Sequence, residues 1–92
     1  MPPSEADRVL KAVGRRIAEL RADLGVTQED FAVKLRVSTN YIRLVERGRQ
    51  NLTLTTLARF AKAFAVAIPD LFVPPRTMRA TPGRPPKTGR QR

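Results

Sequence analysis

Ninety-two residues, 41% of them apolar but only five aromatic, allow one small domain with an aliphatic, helical interior, and a second folded unit is not expected. Eighteen Lys and Arg against eight Asp and Glu give a net charge of +10 and an isoelectric point near 11.6, a balance that favours nucleic acid or anionic lipid as partner. With no cysteine and no histidine, disulfide, thiolate and imidazole chemistry are excluded along with the usual zinc ligands, so neither metal nor cofactor is expected.

The cations are unevenly spread. Residues 73–92 hold six of them and no acid, so the first seventy-two residues carry twelve cations against eight acids, a net +4. Residues 1–7 are polar and show no basic segment followed by an apolar run, so no secretory signal is expected and the chain is assigned to the cytoplasm. Ser4 and Asp7 form a variant of the capping box, which predicts a helix starting near Glu5. Val9 or Leu10, Val13, Ile17, Leu20 and Leu24 follow at helical spacing, with Arg8, Lys11, Arg15, Glu19 and Asp23 elsewhere around the helix. This long amphipathic helix needs no role beyond covering the core, and Gly25 ends it where a left-handed residue is cheapest.

Residues 27–48, TQEDFAVKLRVSTNYIRLVERG, read as two short helices and a tight turn. Thr27 caps the first, with Gln28, Glu29 and Asp30 in its first turn, where acidic side chains oppose the positive end of the helix dipole. That compensation explains the adjacent carboxylates without catalysis. No other constellation for acid or base work is present, so the chain is not expected to be an enzyme or to take a small-molecule substrate. Phe31, Ala32 and Leu35 face inward; Ser38 caps the second helix, Ile42 and Val45 repeat at helical spacing, and Gly48 supplies the stop. Two capped helices so closely joined predict a helix-turn-helix.

Arg49, Gln50 and Asn51 make a polar connection, after which Thr53 caps a fourth helix with Leu54, Leu57, Ala58, Phe60, Ala61 and Phe64 on a wide apolar face. Ala65 and Val66 close it. Residues 52–73 are the most apolar stretch, but Arg59, Lys62, Pro69 and Asp70 interrupt them, so they fail as a membrane span. Pro69 fits the first position of a short fifth helix, 69–72, whose Leu71 and Phe72 fold back on the core; Phe72 could instead serve a subunit contact. Beyond it, proline, glycine, threonine and basic residues leave only Met78 and Ala80 apolar, too little to bury. The chain therefore divides into a folded domain, 1–73, and a flexible Pro/Arg-rich basic tail, 74–92.

From about Arg15 to Phe72, in three blocks, RRIAELRADLGVTQEDFA, VSTNYIRLVERGRQN and LARFAKAFAVAIPDLF, the sequence resembles the phage-repressor family of helix-turn-helix proteins, shared by phage repressors, Cro proteins and many small bacterial regulators. The resemblance covers some sixty of the ninety-two residues and implies an all-α, five-helix domain. It places the second central helix, 38–47, in the DNA major groove. With Ile42 and Val45 pointing inward, Thr39, Asn40, Arg43, Leu44 and Arg47 occupy the outward side and become the candidates for base contact. Asn40 can pair with adenine, Arg43 can fork onto guanine, Thr39 can hydrogen-bond or meet a thymine methyl, and Leu44 offers apolar contact only. The plain alternative is that Arg43 and Arg47 are solvated surface arginines and Asn40 a solvent-facing helix residue.

The resemblance also implies that Gln28, at the start of the preceding helix, meets a phosphate and braces the reading helix, and that Arg21 and Glu46 join the first and third helices as a buried salt bridge. Ser38, Tyr41, Arg49 and Asn51 are the further candidates for phosphate contact, with Tyr41 expected to be half-buried. Two departures concern backbone geometry. Arg36 stands where the family usually has the glycine of the turn, which predicts a non-glycine residue in the left-handed region, and Ala65 stands where another helix-ending glycine is frequent. Leu52 replaces a frequent proline.

In the tail, Pro82-Gly83-Arg84-Pro85-Pro86-Lys87 is similar to the Gly-Arg-Pro core of AT-hook peptides, without the basic residue before the glycine. Arg84, Lys87 and Arg90 could therefore enter a minor groove, attract phosphate without sequence preference, or take no part. The function expected is a sequence-specific, double-stranded DNA-binding transcriptional regulator, a repressor-type homodimer on a two-fold operator, resident in the cytoplasm with the nucleoid. The alternative is an antitoxin-like module whose main partner is another protein.

Overall fold

Each helix begins where a short polar side chain can take up a free backbone N–H. The computed structural model describes residues 2–76, and four α-helices stand among them: α1 (Glu5–Leu24), α2 (Gln28–Leu35), α3 (Thr39–Glu46) and α4 (Leu54–Phe64). Ser4 Oγ accepts the Asp7 N–H at 3.1 Å while Asp7 Oδ2 accepts the Ser4 N–H at 3.1 Å, the reciprocal box expected with Asp in the Glu position. Thr27, Ser38 and Thr53 cap α2, α3 and α4 through their hydroxyl oxygens at 3.0, 2.9 and 3.0 Å. Gly25 ends α1 at φ +75°, and Arg36 and Ala65 end α2 and α4 at φ +60° and +58°, so both positions lacking the family's glycine adopt the left-handed conformation all the same.

The fifth element differs from the five α-helices expected. Ile68–Phe72 is a 3-10 helix, so the described residues hold four α-helices and one tighter turn. Five residues with a proline in second place are too few to sustain an α-helical ladder, and the Asp70 side chain closes the segment's start by accepting the Ala67 N–H at 3.1 Å. Its Leu71 is completely buried, as expected, whereas Phe72 is 49% exposed.

The core is built from Val13 and Ile17 of α1, Phe31, Ala32 and Leu35 of α2, Ile42 and Val45 of α3, Leu57, Phe60, Ala61 and Phe64 of α4, and Leu71. Phe31 lies at its centre, stacked on Phe64 at a centroid distance of 4.9 Å and tilted against Phe60 at 5.7 Å. Of Val9 and Leu10, Leu10 is the one half-buried; two expected core positions face solvent instead, Leu24 at the end of α1 and Leu54, the first residue of α4. Ala58 is exposed too. Helical spacing assigns a face, but a helix longer than its partners runs past them at its ends. Among the described residues no helix is long and apolar enough to cross a membrane.

Packing also continues past Val73. Pro75 is buried, and the Arg76 N–H donates to Glu19 Oε1 at 3.0 Å while its guanidinium reaches Asp23 at 3.2 Å, so Arg76, assigned to the tail, is tied to α1. Proline here carries no N–H to satisfy, and Arg76 meets two carboxylates one helical turn apart.

Candidate nucleic-acid interface

The position of α3 is set by its last residue. Glu46 accepts Arg21 Nε at 2.6 Å and Arg21 Nη2 at 3.1 Å, a two-pronged pair between α1 and α3, and its Oε1 also accepts Gln28 Nε2 at 2.9 Å. Arg21 Nη1 donates to the Val26 carbonyl at 2.7 Å, which adds the α1–α2 connection to the same knot. The two side chains are 18% and 7% exposed, so water screens this pair little and the geometry is held firmly. Two glycines let the helices approach: α1 meets the last turn of α3 at Gly14, and Gly48, at φ +74°, passes so close to α1 that a Cβ would lie 2.6 Å from Lys11 Cα.

Held in this way, α3 buries Ile42 and Val45 and turns its other side outward. Asn40 and Arg47 are exposed there, with Thr39, Arg43 and Leu44 half-buried between them. Arg43 Nη1 lies 3.4 Å from Asn40 Oδ1, a contact one turn apart on the helix surface. An asparagine amide can pair with adenine through its oxygen and its N–H, and this contact engages one of the two acceptor sites of the Asn40 oxygen.

The candidates for phosphate contact divide between the ends of α3. At its start, Ser38 Oγ accepts the Tyr41 N–H and keeps its own hydrogen to donate, while Tyr41 is half-buried against the core. At its far end, Gln28 spends one amide hydrogen on Glu46 and retains the other, beside the open N–H groups that begin α2. Arg49 and Asn51 are exposed in the connection that follows. Arg84, Lys87 and Arg90 lie outside the described residues.

The structure adds two cations that sequence reading assigned to a plain surface. Lys11 and Arg15 of α1 share a concavity of about 520 Å³ with Leu44, Glu46, Arg47 and Arg49. The sequence signal for it is Gly14, since a glycine inside an otherwise regular amphipathic helix marks a close approach of another backbone. That approach lays Lys11 and Arg15 beside the end of α3.

A sequence model of a family described as helix-turn-helix matches residues 17–71. The chain is 39% identical over 64 residues to an uncharacterized HTH-type transcriptional regulator of Sinorhizobium fredii, a match covering 70% of this chain and 83% of that protein. It is 36% identical over 56 residues to the immunity repressor of Bacillus phage phi105, covering 61% of this chain and 39% of the repressor. Among solved structures, the restriction-modification controller protein C.AhdI of Aeromonas hydrophila superposes with a TM-score of 0.69 at 30% identity, over 75% of this chain and all of that one. The hypothetical transcription factor NHTF from Neisseria gives 0.67 at 30% identity, over 84% and 92%.

Proposed function

The chain belongs to the helix-turn-helix family of DNA-binding transcriptional regulators, and from that premise we propose that it acts as a homodimer on a two-fold operator, with α3 reading base edges in the major groove. The observation that carries this reading is the lock on Glu46. It fixes α3 to both α1 and α2 and leaves Thr39, Asn40, Arg43, Leu44 and Arg47 on one uncovered face. Asn40 and Arg43 supply hydrogen-bond readout of adenine and guanine; Gln28, Ser38, Tyr41, Arg49 and Asn51 position the helix on phosphate.

Dimerisation is supported by a different surface. Val9, Phe72 and Val73, each at least 40% exposed, surround a shallow groove floored by Ala12, Val13 and Leu71, and a second copy laid across it would remove that apolar area from water. On this reading the two α3 helices of such a dimer meet half-sites whose centres lie about 34 to 36 Å apart. Working on DNA, the protein belongs in the cytoplasm. Selection of bound fragments from random duplexes tests the whole reading: an inverted repeat with that spacing is the expected result. Binding no better than to scrambled duplex at physiological salt would overturn it.

A further inference from the structure

We propose that Lys11 and Arg15, together with Arg47 and Arg49, form a phosphate-binding edge through which the first half of α1 grips the DNA backbone beside the groove entered by α3. The inference rests on the DNA-binding reading and extends it to residues that precede the family match, which begins at residue 17. Four cations line a single concavity at the end of the outward face of α3. Among the described residues none of the four meets an acid or a backbone carbonyl, a condition shared with Arg36, Arg43 and Lys62, whereas Arg8, Arg21 and Arg76 are ion-paired and Arg16, Lys34 and Arg59 donate to backbone carbonyls.

Glu46, the one carboxylate lining the concavity, is already taken by Arg21 and Gln28. The end of the α3 dipole offsets roughly half a charge, against four. Like charges gathered around one concavity, on segments that Gly14 and Gly48 let approach, are relieved by an external anion. A row of phosphodiesters suits the arrangement better than a single ion, because the four groups come from two separate segments and are exposed. Continuity with Leu44 and Arg47 puts this edge directly beside the reading face, so one duplex can occupy both.

The test is the salt dependence of binding to two duplexes, the selected operator and a scrambled sequence, by the full chain and by Lys11→Gln/Arg15→Gln. Both side chains are exposed, so the variant is expected to melt as the parent does. The expected result is a log–log salt slope shallower by about 2, close to 1 for each cation removed, on both duplexes, with the preference for operator unchanged. Lys34→Gln/Lys62→Gln removes the same charge from another concavity, lined also by Arg36 and Arg59, and is expected to leave the slope nearly intact. An unchanged slope in the first variant, or an equal fall in both, overturns the inference. A parent protein that does not distinguish the two duplexes would instead remove the operator reading, while its slope on scrambled DNA still decides the role of Lys11 and Arg15.

Discussion

Gly14 of α1 and Val45 of α3 meet backbone to backbone: a Cβ built on Gly14 stands 2.2 Å from the Val45 carbonyl oxygen and 3.1 Å from the Glu46 carbonyl. No rotamer change relieves that overlap, because the obstructing atoms belong to the last turn of α3. Gly14→Ala is therefore expected to push the two helices apart, costing about 2 kcal/mol or more despite alanine's better helix propensity. Denaturant titration reads the loss. An alanine variant as stable as the parent would show that the helices do not approach this closely.

The pair at Arg21 and Glu46 gives a second expectation. Its side chains are largely buried, so removing one partner strands the other charge: Arg21→Ala and Glu46→Ala should each cost about 3 to 5 kcal/mol. Arg21→Met with Glu46→Leu should cost much less than the two single losses together, since neither charge is then left behind. Glu46→Gln keeps the shape and separates charge from hydrogen bonding. A double-mutant cycle showing simple additivity would mean that the pair is not coupled.

How far the sequence could be read depended on whether a feature was local. The caps at Ser4, Thr27, Ser38 and Thr53 are local, and each was legible because a hydroxyl beside a helix start has one obvious use. The left-handed Arg36 and Ala65 were legible by departure, as positions where a glycine was due. Burial at helix ends was not, because Leu24 and Leu54 obey the helical spacing yet stand exposed at the last residue of α1 and the first of α4. Lys11 and Arg15 escaped for a related reason: their meaning comes from Arg47 and Arg49, thirty residues or more away in sequence and brought close only by packing at Gly14. Arg76 likewise looked like one more tail cation until Glu19 and Asp23 were seen to receive it.

Backbone strain supplies a third prediction. Ala65 sits at φ +58° with its side chain exposed and away from the outward face of α3, so glycine there removes the left-handed penalty of about 1 to 2 kcal/mol and returns part of it as unfolded-chain entropy. Ala65→Gly is expected to stabilise by about 0.5 to 1 kcal/mol, raising the denaturant midpoint without changing the slope of the transition. Arg36→Gly should act in the same direction. If both substitutions destabilise, the αL ends of α2 and α4 are not strained.

The division of labour along α3 is tested by two arginines of equal charge. Arg43 projects from the outward face one turn from Asn40, whereas Arg49 lies in the connection after Gly48. Arg43→Ala should cost about 1 to 3 kcal/mol at the operator and relax the preference at one base pair of each half-site, with little effect on scrambled DNA beyond its charge. Arg49→Ala should weaken operator and scrambled duplex alike and reduce the salt slope by about 1. Asn40→Ala extends the comparison, since it carries no charge: its loss should change base preference without touching the slope. Competition titrations against single-position operator variants, repeated at several salt concentrations, separate the two behaviours, and the same profile for Arg43→Ala and Arg49→Ala would count against α3 as the reading helix.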